Sequence, residues 1–273
     1  MDSPQEIDPD AYFARIGYSG PRAATLAALR GIHAAHPAAI AFENLDALMG
    51  RRVHLDSAAL QKKLIQSGRG GYCFEHNTLL ARVLTALGFT VSLLAARVVM
   101  GGMPATGRRT HMLLKVETEE GPHIADAGFG GRTLTAPLSL AHDGEQILTH
   151  GPFRLLRDGA MVDQQTKIDG VWQTLYRFSL EEQLPGDFDV LNWFVSTHPD
   201  SPFTSRLLAA RTLPDRWYGL MNNQFSIHHA DMRSESCELK SAEEIAGVLE
   251  NELAIRLPEP RAELLATLAR LVP

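Results

Sequence analysis

Arg69-Gly70-Gly71-Tyr72-Cys73-Phe74-Glu75-His76-Asn77 closes a glycine-rich loop and opens an apolar helical run over residues 78–87. Gly68, Gly70 and Gly71 are expected to turn the backbone sharply, because glycine tolerates positive φ. Cys73 then falls in the first turn of that helix. The unpaired N–H groups and positive dipole end there favour an anion, and a thiolate is one. A free cysteine is in general a small buried hydrophobe. Here the glycine loop, the helix start and the polar neighbours Arg69, Glu75, His76 and Asn77 mark a reactive thiol instead.

Outward from this stretch, the N-terminal third reads as helical. Asp8-Pro9 is a helix start and Gly17 a stop. Leu26, Leu29, Ile32 and His33 recur at helical spacing in a helix predicted over 21–35 and closed by His36-Pro37. Residues 40–45 have no clear period and read as a loop. Asp56 or Ser57 caps a helix reaching Gln66. Residues 1–88 are therefore expected to form a helical bundle that carries the nucleophile.

The period changes at Phe89. Apolar and β-branched runs predict strands over 91–100, 110–116, 122–127, 153–157, 160–164 and 172–178, with Asp158-Gly159 as a hairpin turn. Residues 89–185 are thus an antiparallel sheet or barrel. A helix over 187–197, strand character over 216–229 with a break near Asn222-Asn223, and helices opening at Ser241 and Pro260 make 186–273 an α/β layer. With no internal repeat and no long linker, the three parts are expected to pack as one unit of the α+β class.

The 273 residues, 45% of them hydrophobic, suffice for a large core. A formal charge of −6 argues against nucleic-acid binding. No apolar run approaches the roughly 20 residues of a membrane span. The acidic Met1–Glu6 start has no signal-peptide character. Two cysteines, Cys73 and Cys237, could pair, but a chain of this size needs no disulfide. A reducing, cytoplasmic setting is expected.

A thiol nucleophile needs a base within hydrogen-bond reach, and the base needs an orienting partner. Among eleven histidines, His111 is the candidate base, because it enters a strand just after a glycine-rich loop. Asp126 ends the following strand, flanked by Ala125 and Ala127, where an acid has little to do for solubility. A hairpin of these two strands would make the pair neighbours. Gly128-Phe129-Gly130-Gly131 is a second glycine-rich loop, and it lacks the third glycine of a dinucleotide fingerprint. His76, three residues after Cys73, raises a metal reading. With no Cys-x-x-Cys, and with His228-His229 pointing to opposite faces of a strand, no metal is expected.

Residues 69–77, with His111 and Asp126 at these separations, resemble the arylamine N-acetyltransferases. Phe42-Glu43-Asn44-Leu45, Asp126-Ala127-Gly128-Phe129-Gly130 and Ser201-Pro202-Phe203-Thr204 are similar to further motifs of that family, so the resemblance covers essentially the whole chain. Ala41 departs from the proline common before the phenylalanine. The resemblance implies three subdomains, a helical bundle, a β-barrel and an α/β lid, the first two arranged as in cysteine proteases. It implies acetyl coenzyme A as donor and an arylamine or arylhydrazine as acceptor. Cys73, His111 and Asp126 would be catalytic, Phe42, Phe129 and Phe203 would line the acceptor pocket, and Thr110, Gly130 and Gly131 would lie near the coenzyme. Arg69, Arg97, Arg108, Arg109 and Arg132 are candidates for its phosphates. Transfer would be ping-pong, through an acetyl-cysteine. Neither nucleic acid nor membrane is an expected partner, and a homo-oligomer is left open. The same triad would also serve a cysteine hydrolase or an amide synthase, and a redox-sensing thiol is the non-catalytic alternative.

Overall fold

The computed structural model describes residues 7–104, 106–231 and 233–272. The acidic start over 1–6 lies outside them.

The helix Pro9–Ile16 begins where Asp8 accepts the N–H groups of Asp10 and Ala11 at 2.9 and 3.2 Å, and it ends at Gly17 with φ 65°. The next helix, Leu26–Ala39, is capped by Thr25, begins five residues later than the spacing suggested, and continues through Pro37. Proline costs this last turn one donor. Ile40 N–H still reaches His36 O at 2.8 Å, and the Arg15 guanidinium takes the Ala39 carbonyl at 2.8 Å. Ser57–Leu60 is α-helical and runs on as a π-helix over Gln61–Gln66. The expected loop at 40–45 contains a strand, Phe42–Glu43, and the start of a short helix, Leu45–Leu48. Two residues are too few to show a period, and the strand's partner is Leu208–Thr212, far along the chain.

Eight antiparallel strands form the middle of the molecule. Their order is Leu138–Ser139, Gly121–Ala125, His111–Thr118, Val91–Val98, Val171–Ser179, Met161–Ile168, Gly151–Asp158 and Gln146–Leu148. The two outer strands were not legible as such, being two and three residues long. Gln146 brings these edges together. Its amide oxygen accepts Ser139 N–H at 2.8 Å, and its amide nitrogen donates to Ser139 O at 3.0 Å. One side chain thus imitates a strand partner, and the sheet becomes a nearly closed barrel. The class is α+β with a barrel, as the sequence led one to expect.

Alternation along the strands divides the packing. Leu94, Ala96 and Leu113 point into the barrel with Tyr176 and Phe178. Ala95, Met112 and Leu114 face the helical core around Phe74, Leu80 and Leu84. The strand bearing His111 is therefore sandwiched between the barrel interior and the helix bearing Cys73.

The last part is a four-stranded meander with Phe42–Glu43 added at its edge, in the order Phe42–Glu43, Leu208–Thr212, Arg216–Met221, Gln224–His229 and Ser234–Glu238. Asn222, at φ 54°, makes the expected break. Ser234–Glu238 is exposed throughout and polar, so it carried no apolar signal. The helices Ala242–Asn251 and Arg261–Leu268 supply Ile245, Leu249 and Leu264 to the core of this layer. Asn44 ties it to the first part, donating to Phe203 O and Arg206 O at 2.8 and 2.7 Å and accepting Leu208 N–H at 2.8 Å. Phe188 and Val195, from the helix Pro185–Thr197, pack into the helical core. Both cysteines are free, Cys73 buried and Cys237 exposed. Among the described residues no helix is long and apolar enough to cross a membrane, and no three side chains converge to hold a metal ion.

Candidate active site

Cys73 is the first residue of the helix Cys73–Ala86. The loop before it keeps its shape through contacts more than through backbone freedom. Of the three glycines, only Gly68 has positive φ, at 63°. Gly70 and Gly71 are glycines for want of space: a Cβ on Gly71 would sit 2.7 Å from the Glu75 carboxylate, and one on Gly70 would run into the Ala41 carbonyl. Gly71 pairs with the strand Phe42–Glu43, accepting Glu43 N–H at 2.7 Å and donating to Ala41 O at 3.3 Å.

Buried and half-buried charges hold the same loop. Arg69 forks onto Glu43 at 3.0 and 2.8 Å and reaches Asp46 at 3.1 Å. Lys63 joins Asp46 at 2.6 Å to Glu75 at 2.7 Å, and Glu75 takes Tyr72 N–H at 3.0 Å. Ion pairs of this kind recover little net energy after desolvation, so their value lies in fixing geometry.

The Cys73 sulfur lies 3.7 Å from Thr110 O. His111, the next residue, has Nε2 at 2.7 Å from Asp126 Oδ2. Asp126 is fully buried. Its Oδ2 also accepts Tyr176 Oη–H at 2.9 Å, and its Oδ1 accepts Asn77 Nδ2 at 2.9 Å and Gly128 N–H at 3.0 Å. Burial favours a protonated carboxyl. The His111 charge and these donors outweigh it and hold Asp126 below the usual carboxylate range. Burial likewise opposes charge on His111, but Asp126 and the Cys73 sulfur prevail and push it up to about 10. Phe129 and Tyr176 clamp the imidazole, with ring centroids 5.1 and 4.8 Å away. Gly128 lets these elements meet, since a Cβ there would lie 2.9 Å from Cys73 Cα.

Cys73 and His111 open onto one cavity of about 660 Å³. Phe42, Thr110, Phe129, Gly130, Gly131 and Phe203 also line it, so eight of the nine residues singled out from the sequence share its wall. The ninth, Asp126, stands behind His111. Phe203 lies between the rings of Phe42 and Tyr72, at 6.2 and 5.5 Å. Of the five arginines considered for phosphates, Arg108 alone lines the cavity, its guanidinium 4.6 Å from the centre of the Phe194 ring. Arg69 is instead consumed by Glu43 and Asp46.

Sequence reasoning missed Tyr176. It carries no motif, and only the pairing of its strand with Met161–Ile168 and Val91–Val98 aims it at Asp126. Asn77 is a polar neighbour of Cys73 in the sequence, but its work is wider. It donates to Met112 O at 2.7 Å and accepts Ala127 N–H at 3.1 Å, so the nucleophile's helix grips both strands that bring His111 and Asp126.

A family model described as N-acetyltransferase matches residues 25–262. An arylamine N-acetyltransferase of Escherichia coli is 47% identical over 204 residues, 75% of this chain and 73% of that protein. A protein of Salmonella typhimurium named arylamine N-acetyltransferase / N-hydroxyarylamine O-acetyltransferase is 37% identical over 265 residues, covering 95% and 94% of the two chains. Among solved structures, the Mycobacterium marinum arylamine N-acetyltransferase in complex with CoA superposes with a TM-score of 0.93 at 39% identity, over 97% of this chain and all of that one.

Proposed function

This chain belongs to the arylamine N-acetyltransferase family and is an acyltransferase, and from that premise we propose that it moves acetyl from acetyl coenzyme A to the nitrogen of arylamines or arylhydrazines through an acetyl-Cys73 intermediate. One observation carries this reading: the sulfur at the helix start shares a cavity wall with an imidazole whose far nitrogen is anchored on a buried carboxylate.

In this reading Cys73 and His111 form a thiolate–imidazolium pair, with Asp126 orienting the ring and stabilising its charge. The thiolate attacks the acetyl carbonyl carbon. The carbon–sulfur bond to the coenzyme breaks, and the departing thiolate takes the His111 proton. Exchange between two thioesters is nearly balanced, so this half-reaction costs little. The amine nitrogen of the acceptor then attacks the acetyl-cysteine. The Cys73 carbon–sulfur bond breaks, and His111 takes the amine proton, restoring the ion pair. The backbone N–H of Cys73 has no partner within its helix and suits the transient oxyanion.

Arylamines are weak bases and stay neutral nucleophiles at neutral pH. Flat rings fit a cavity walled by Phe42, Phe129 and Phe203. Thr110, Gly130 and Gly131 let the coenzyme's thioester arm approach the backbone, and Arg108 is the cation available at the cavity wall. Coenzyme release from acetyl coenzyme A with and without aniline tests the proposal. Release that accelerates with aniline and yields acetanilide supports transfer, whereas release indifferent to the amine indicates a hydrolase.

A further inference from the structure

Three fully buried side chains play no part in the chemistry above. Tyr12 Oη lies 2.7 Å from His36 Nδ1, His36 Nε2 lies 2.8 Å from His76 Nδ1, and His76 Nε2 lies 3.2 Å from Ala41 O. They come from three separate helices.

The chain has one self-consistent set of protons. A carbonyl only accepts, so His76 carries its hydrogen on Nε2 and presents a lone pair at Nδ1. His36 must then donate from Nε2 and accept at Nδ1, and Tyr12 must donate. Every hydrogen points toward Ala41. Burial favours this neutral state: it holds His36 well below the ordinary histidine range and His76 at about 4, and it keeps the Tyr12 hydroxyl protonated.

The chain ends where the acceptor wall meets the nucleophile loop. Ala41 O also accepts Gly71 N–H at 3.3 Å, two residues before Cys73. The next residue, Phe42, lines the cavity and sits edge-on to Phe203, while a Cβ on Gly130 would lie 3.5 Å from its ring. Rotation of the 41–42 peptide would swing that ring. None of Tyr12, His36 and His76 lines the cavity.

We infer that Tyr12, His36 and His76 are positioning residues: a one-way hydrogen-bond chain that fixes the Ala41 carbonyl and thereby the Phe42 wall against which an aromatic acceptor lies. This rests on the acetyl-transfer reading for its substrate, but not for its proton arrangement. The chain acts on the amine half-reaction and leaves acetylation of Cys73 to the helix start and His111.

Tyr12→Phe removes the first donor. Either His36 Nδ1 is then left unpaired, or both rings reverse and a lone pair confronts the Ala41 carbonyl. His76→Gln keeps an acceptor and a donor and should restore function, whereas His76→Leu should not. The test joins ring-nitrogen NMR of the histidines at neutral pH with the rates of the two half-reactions. The expected result is Nε2–H at both His36 and His76. Tyr12→Phe and His76→Leu should raise the KM for an arylamine about fivefold, as expected for one lost buried hydrogen bond. Acetyl-enzyme formation should stay within about twofold, and His76→Gln should be near wild type. An Nδ1–H or imidazolium form at either ring, or variants that slow both half-reactions equally or neither, would overturn the inference. Should Tyr12→Phe not fold, the Gln and Leu pair at His76 decides it. If the native protein forms no acetyl-enzyme at all, the functional reading fails and takes the acceptor role with it; the tautomers would still report on the chain.

Discussion

His111 Nε2 lies 2.7 Å from Asp126 Oδ2, and that carboxylate is held in turn by Tyr176, Asn77 and the Gly128 N–H. With Asn at 126, an amide can face the ring and favour the wrong tautomer. Asp126→Asn should fold yet lose roughly ten-thousand-fold in kcat. Tyr176→Phe removes one donor to a charged group and should lower kcat/KM about tenfold. Steady-state kinetics beside circular dichroism check both. A near-native rate for Asp126→Asn would remove its orienting role.

Stability should fall on both sides of neutrality. His33 and His76 are pushed down to about 4 by burial, from an ordinary value of 6.5. The unfolded chain therefore binds their protons first, and stability declines as pH falls from 6.5 through about 4. Glu75 acts in the opposite direction, since burial holds its carboxyl up at about 7. His111, raised to about 10, contributes stability that is complete below 6.5 and lost as pH rises through about 10. Urea midpoints across this range test the pattern. His76→Gln should flatten the acid side, and an unchanged slope would contradict burial of the neutral ring.

Gly128→Ala probes a contact that distance alone defines. Its Cβ would lie 2.9 Å from Cys73 Cα and 3.0 Å from His76 Cβ. Backbone must shift, at a cost of about 1–3 kcal/mol. A lower urea midpoint with loss of acetylation at Cys73 is expected.

Arg69→Leu strands the fully buried Glu43 without its cation. Removing one partner of a buried pair costs about 3–5 kcal/mol. Chemical unfolding should show that loss, and a change below about 1 kcal/mol would mean that Glu43 finds another partner.

Much of the architecture could be read in the chain because its signals are local. Asp8, Gly17 and Asn222 mark their boundaries by side chain or backbone chemistry alone. The missed elements owe their existence to distant partners. Phe42–Glu43 is a strand because Ala209 and Ala210 lie beside it, and Leu138–Ser139 and Gln146–Leu148 are held by neighbours and by the Gln146 amide. The turn that contains Pro37 ends at the Ala39 carbonyl, which Arg15 takes from another helix. At the site, Cys73, His111 and Asp126 are visible by residue type and spacing. Tyr176 and the Tyr12–His36–His76 chain are not, since hydrogen-bond partners that meet across separate elements leave no periodic trace.

In the proposed cycle acetyl resides on one sulfur between donor and amine. Intact mass after mixing with acetyl coenzyme A alone, followed by peptide mapping, tests this most directly. One acetyl group on the peptide containing Cys73, discharged when an arylamine is added, is the predicted result. Acetyl transfer that persists in Cys73→Ala with no acetylated enzyme would contradict it.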